Sequence, residues 1–212
     1  MPNWCYNNLQ VEGSREDIKR FLDAVANEEG QYDLTLPYPC PEELQISATF
    51  ILGDAEEDDE ERAALRKQYA ENVEKYGAPH WYDWQVKNWG TKWPPTIDEF
   101  FLDDKRVQFR FDSAWSPPSG LIQKLSAEFQ TLTFVLWYDE SGMCFAGAES
   151  FQAGDMVYNG YFEYDSVPEW SELSDADFDD EESWEKMNEI IRDALDQRID
   201  EAECALSVLE GK

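Results

Sequence analysis

The sequence offers little to metal or nucleophile chemistry. It has one histidine, His80, and four cysteines, Cys5, Cys40, Cys144 and Cys204, that form no Cys-x-x-Cys pair. Four-ligand zinc is therefore not expected, and no cofactor is. A Gly-x-Ser-x-Gly elbow, a phosphate-binding P-loop and a dinucleotide-binding glycine pattern are all missing. No run of about eighteen apolar residues is present to span a bilayer. The opening Met-Pro-Asn-Trp has neither a charged lead nor an apolar run, so no secretory leader is expected. These absences point to a cytoplasmic, non-enzymatic protein with reduced thiols. Positive charge is the scarcest item: 17 Lys and Arg stand against 47 Asp and Glu, a net charge of −30. Phosphates would be repelled, which argues against direct binding of nucleic acid or of an anionic membrane and favours a basic partner.

What is abundant is aromatic side chain, 15% of the 212 residues. Four of the nine tryptophans fall in one stretch, residues 81–93, which reads as a short helix over 81–89 stopped by Gly90. Before it, residues 4–11 read as a strand. Ser14 with Asp17 three positions on is a weak capping box opening a helix over 14–27, with Ile18, Phe21, Leu22 and Val25 on one face. Residues 32–40 read as extended, and Pro37, Pro39 and Pro41 forbid regular helix there. A carboxylate run over 54–61 leads into a helix carrying Ala63, Leu65, Tyr69 and Val73 and ending near Gly77.

After the tryptophans, Val107, Phe109 and Phe111 recur at period two and predict a strand. Leu121, Ile122, Leu125 and Phe129 predict a helix. Residues 132–138 predict a central strand, 143–151 its hairpin partner, and 155–164 a last strand. Strand–helix–strand units joined to a meander predict an α+β, ferredoxin-like antiparallel sheet with helices on one face. Residues 1–164 form that domain, with a helical insertion at about 54–95. Residues 165–212 form an acidic linker and a long amphipathic helix.

That last segment is chemically distinct. Residues 163–210 carry 18 Asp and Glu but 3 Lys and Arg, half the net charge of the whole chain. From Trp184 to Leu209 apolar residues step by three and four, predicting one helix about 40 Å long. Glu185, Glu189, Asp193, Asp196, Asp200 and Glu203 recur at the same steps and form a single carboxylate row. Neighbours in the row rise about 4.5–6 Å along the axis, close to the spacing of phosphates on a nucleic-acid strand. With Asp175, Asp177, Asp179 and Asp180 just ahead of it, the row is a candidate surface for a basic host protein. The bland alternative is a solvated face opposite an apolar seam. Whether the seam docks on its own domain or on a second copy stays open. Asp175-Ala-Asp-Phe-Asp179 opens like a calcium loop, but Asp180 stands where glycine is needed and Lys186 where glutamate is needed.

The tryptophan stretch is the second candidate. Trp81, Trp84, Asn88, Trp89, Lys92, Trp93 and Trp115 could line a pocket in which a flat ligand stacks and Lys92 meets an anion. The structural alternative has the tryptophan helix packed over the sheet, its polar neighbours satisfying indole N–H groups and turn backbone. His80 is expected to cap or pack at the entry to that helix, and Cys5 and Cys144 to be small core residues on strands.

Three motifs, Met1-Pro-Asn-Trp-Cys-Tyr-Asn7, Asn88-Trp-Gly-Thr-Lys-Trp93 and Phe111-Asp-Ser-Ala-Trp-Ser-Pro-Pro118, together resemble the YubB-like (Api-type) proteins of bacteriophages and conjugative plasmids. That family has a ferredoxin-like domain and no assigned function. The likeness runs from Met1 to about Phe151, with Ser113 where threonine is expected, and leaves the acidic tail outside. It implies an accessory protein of a mobile element in a bacterial cytoplasm and supplies no catalytic residues. Three readings follow: a counter-defence protein with an acidic, nucleic-acid-mimicking surface for a basic, nucleic-acid-binding defence factor; a small-ligand or nucleotide-sequestering module built on the tryptophans; and an enzyme of unassigned mechanism.

Overall fold

β1 (Trp4–Glu12) is the central strand of an antiparallel sheet, flanked by β3 (Arg106–Ala114) and β4 (Thr133–Glu140). The structure is a computed structural model that describes residues 3–48, 60–173 and 181–210. Alternation decides which side of β1 is covered: Cys5, Asn7, Leu9 and Val11 point to one face and are buried, whereas Trp4 and Tyr6 point to the other and are exposed. α1 (Arg15–Val25) follows, and its cap forms as the spacing predicts. The Asp17 N–H donates to Ser14 Oγ at 3.1 Å, satisfying one of the free donors of the first turn. Phe21 then sets its ring edge-on against Phe109, Phe129 and Phe134, which ties the helix to two strands at once.

The chain continues through α2 (Glu60–Tyr76) and α3 (Trp81–Trp89) to β2 (Thr96–Leu102), β3, α4 (Ser119–Glu128) and β4. The four strands lie in the order β2-β3-β1-β4, all antiparallel. This is the ferredoxin-like arrangement, with α1 and α4 on one face. Leu121, Ile122 and Leu125 of α4 and Val107, Phe109, Phe111, Phe134 and Leu136 of the strands complete its core. Each large apolar side chain removed from water there contributes roughly 1.5–3 kcal/mol before entropy is counted.

β5 (Phe145–Gln152) extends the sheet beyond β4. Its outer side is shared end to end by β6 (Asp155–Asn159) and the two-residue β7 (Phe162–Glu163). The final strand expected over 155–164 is thus two strands, parted at Gly160. β2 was not apparent from the sequence at all. The hairpin turn between β4 and β5 is also longer than expected, so Cys144 sits in the turn at φ 58°, exposed rather than in the core. Cys5 is buried as expected. Residues 34–37 make turns rather than an extended run.

α5 (Glu181–Glu210) packs on the opposite face of the sheet. Ile199, Ala202 and Leu206 meet Val135, Ala148 and Val157, and Ile191 meets Ala146 and Phe162. The apolar seam therefore docks on its own domain, over β4, β5 and β6. The small side chains of β5 let the helix lie close. Tyr158 hydrogen-bonds Glu201 from its hydroxyl, and Arg198 pairs with Glu201 at 3.2 Å, fixing the inner flank of the helix.

Candidate functional site

The tryptophan stretch is built around backbone contact between α3 and α4. Gly90 ends α3 at φ 88°, its N–H donating to the Val86 carbonyl at 3.1 Å. A side chain at Gly120 would come within 3.0 Å of the Asn88 carbonyl, and one at Gly90 within 3.1 Å of the Pro117 carbonyl. Glycine at both positions is what lets the two helices touch. Polar side chains then knit the loops. Thr91 Oγ1 accepts from the Ala114 N–H and donates to the Ala114 carbonyl, both at 3.0 Å. Ser116 Oγ donates to the Gly90 carbonyl, Ser113 Oγ to the Ser116 carbonyl, and Asn7 Nδ2 to Ser113 Oγ at 2.9 Å. Asn7, Gly90 and Thr91, and Ser113 through Ser116 thus meet in one hydrogen-bonded knot, although Asn7 and Ser113 lie 106 residues apart.

Six of the seven residues of the expected pocket divide into two groups around this knot. Trp89 is buried, donates from Nε1 to the Tyr38 carbonyl at 3.0 Å and lies edge-on to Trp84. Asn88 completes this group: Nδ2 donates to the Trp84 carbonyl at 2.9 Å, and Oδ1 accepts from Lys124 Nζ. Lys124 also lies over the Trp84 ring, and burial, helped by the nearby Lys87, pushes its ammonium pKa down. The second group is half exposed. Lys92 Nζ sits 4.5 Å from the Trp93 ring, 4.9 Å from Trp115 and 5.6 Å from Tyr82, and Trp93 leans on Trp4. The aromatic space is occupied by the chain's own cation. Trp115 is held at φ 68° while its N–H donates to the Asn3 carbonyl at 3.0 Å. Trp81 lies apart, edge-on to Tyr82. His80 precedes α3 without capping it through its side chain; its ring packs on Tyr69, and Nδ1 is buried without a partner.

A cluster not singled out from the sequence lies on the α4 side of the sheet. The Glu149 carboxyl is buried, one oxygen accepting from the Tyr138 hydroxyl at 3.4 Å and the other without a partner. Burial pushes its pKa up, against the opposing pull of the nearby Ser119 and Tyr138 hydroxyls. Glu140 is also buried with one unpartnered oxygen. Asp139, between Tyr138 and Glu140 on β4, points to the α5 side instead, where burial raises its pKa and it accepts from the Tyr164 hydroxyl at 2.6 Å. Burial likewise raises the Cys5 thiol, which makes it a poor nucleophile. The signal for Glu149 was there: it is the one charge in Phe-Ala-Gly-Ala-Glu-Ser-Phe. Among the described residues no group of three or more His, Cys, Asp or Glu converges as a metal site, and no helix is long and apolar enough to cross a membrane.

The carboxylate row lies along the exposed side of α5, with Asp193 and Glu203 at its flanks toward the domain. Glu185, Glu189, Asp193, Asp196, Asp200 and Glu203 are all exposed, turned away from the residues of the docked seam. Glu203, at one end, accepts from Gln10 Nε2 of β1 at 3.2 Å. Asp193, Gln197 and Arg198 face Val167 and Pro168 across a cavity of about 440 Å³ at the side of the helix. Asp175, Asp177, Asp179 and Asp180 lie outside the described residues.

Residues 88–192 match the family model described as the ferredoxin-like domain in Api92-like protein. The uncharacterized protein YubB of Escherichia coli (strain K12) is 32% identical over 104 residues, covering 48% of this chain and 68% of that protein. The crystal structure of the protein api92 from Yersinia pseudotuberculosis aligns with a TM-score of 0.47 at 12% identity, over 76% of this chain and 98% of the other. At that identity and coverage of YubB, and with the matching ferredoxin-like domain, the chain belongs to the Api92-like, YubB-containing family of ferredoxin-like proteins.

Proposed function

We propose that this chain is a non-enzymatic accessory protein of a phage or plasmid that acts in the bacterial cytoplasm by docking its α5 carboxylate row on a basic host protein that handles nucleic acid. One observation carries the reading: six carboxylates in register stand exposed along a helix whose other side is anchored. Like charges three and four apart cost a helix a few tenths of a kcal/mol per pair. Burial of Ile191, Ala202 and Leu206 against the sheet offsets that cost and holds the row straight. A fixed array of negative charge offers a DNA-binding surface the same electrostatic target as a phosphate backbone, without bases to read. The tryptophan knot is read as scaffold, because Lys92 fills its aromatic space and Trp89 is committed to the core.

The test is capture from bacterial lysate at low and high salt, comparing the native chain with Glu189→Gln, Asp193→Asn, Asp196→Asn and Asp200→Asn combined. A basic partner is expected whose binding falls steeply as salt rises and falls again when the row is neutralised. A complex indifferent to both changes would sink the proposal.

A further inference from the structure

We propose that the groove between α1 and the edge strand β2 receives an extended segment of a partner protein, with alternating apolar and basic side chains, paired to β2 as an added strand. β2 is the end of the sheet on its side, and among the described residues no strand pairs with its outer edge. Its free N–H and C=O groups are a template for a further strand. α1 reaches β3 and β4 through Phe21 but leaves the same face of β2 bare. Phe100 is 45% exposed there and Leu102 54%, although both share the core-facing side with Ile97. Tyr32 stands edge-on to Phe100 at 4.8 Å and parts the groove into two cavities of about 590 and 680 Å³. Leu22 of α1 and Leu102 line the second. Apolar side chains projecting every second residue from an added strand would enter on either side of Tyr32.

The rim decides what kind of strand. Asp98 and Asp104 stand along it and make no ion pair among the described residues, whereas Glu99, Asp103 and Asp23 are matched by Arg110, Arg106 and Lys19, and Arg15 is a further cation lining the second cavity. Asp98 also faces Asp112, whose pKa is pushed up, chiefly by burial and then by that charge. A second copy of this chain would bring the same carboxylates and a net charge of −30 to the edge. Lysine or arginine on the added strand would answer them. This surface is separate from the α5 row, which lies on the opposite face over β4, β5 and β6.

The probe is an end-blocked octapeptide of alternating lysine and valine, titrated into the isotope-labelled full chain at about 0.1 M salt, where the Debye length is about 10 Å. Shift changes and slowed amide exchange are expected along β2, Tyr32 and α1. Affinity is expected to fall at least about tenfold for Phe100→Ala with Leu102→Ala, and for Asp98→Asn with Asp104→Asn, a change of about 1.4 kcal/mol. N-methylating alternate residues of the peptide should abolish binding, which only a backbone-paired strand requires. Binding should survive neutralisation of the α5 row. The proposal is overturned by absence of binding, by binding that these groove variants leave unchanged, by loss on neutralising α5, or by sedimentation showing that β2 pairs with a second copy. Because Leu102 is more than half exposed, the single variant Leu102→Ala keeps the test open should the double variant lose its fold.

Discussion

Trp89 combines the two things an indole can do, filling volume in the core and donating one hydrogen bond to the Tyr38 carbonyl. The two contributions can be separated. Trp89→Phe keeps most of the apolar surface but leaves that carbonyl without its donor, an expected loss of about 1–2 kcal/mol. Trp89→Ala removes both, and about 3–5 kcal/mol is expected in urea unfolding. No loss in Trp89→Phe would show that the hydrogen bond contributes nothing, and equal losses in the two variants would show that the buried ring adds nothing beyond it. Glu149 makes a prediction of opposite sign. Its folded pKa is raised by burial, so the folded chain holds this proton more tightly than the unfolded chain does. The stability tied to it is fully present below the unfolded carboxylate range and is lost as pH rises through the folded value. Glu149→Gln should therefore stabilise the protein more at pH 8 than at pH 4, read from thermal midpoints. A gap independent of pH would mean that the carboxyl is not buried as described. Both residues were legible only in part. The pattern of α3 showed that its tryptophans would be buried or stacked, but the carbonyl that Trp89 meets lies 51 residues away and leaves no local trace.

At the scale of elements, α1, α3, α4 and β3 could be read because each has one covered face, and one covered face writes a period into the sequence. β2 could not. Both of its faces are largely exposed, so Ile-Asp-Glu-Phe-Phe-Leu alternates with nothing, and only its register against β3 makes it a strand. The bare edge that hid β2 from the sequence is the same feature that makes it an open surface. α5 shows the converse. Its seam and its acidic row were both legible, but its docking site was not, because Ala146 and Ala148 form a receptive surface by being small rather than by being apolar in a pattern. Ala202 is fully buried in that contact. Ala202→Glu should lift the helix from the sheet. In hydrogen exchange, α5 should lose protection, since its like charges work against a free helix. Amides of β1, β3 and β4 should keep theirs. Simultaneous loss in both regions would show that α5 and the ferredoxin-like unit are a single cooperative body.

The whole molecule carries −30 charges on 212 residues. Such a surface repels itself when folded and less when expanded, so compactness costs more at low ionic strength. At about 0.01 M salt the Debye length is about 30 Å, the scale of the entire domain, and at 0.15 M it is about 8 Å. The thermal midpoint should rise between those two conditions, and a flat response would mean that the carboxylates are already neutralised by bound cations. The position of β1 bears on how this molecule is made. The strand leaves the ribosome well ahead of its neighbours in the sheet: the partners of Asn7, Phe111 and Tyr138, belong to segments synthesised more than a hundred residues later. At roughly 5–20 residues per second, β1 stays unpartnered for on the order of 5–25 s while the intervening chain is extruded. Until then Leu9 and Val11 have no sheet to join, and α1 alone can shield them. The nascent chain is therefore most open to chaperones, and to edge-on mispairing, between the translation of α1 and that of β4.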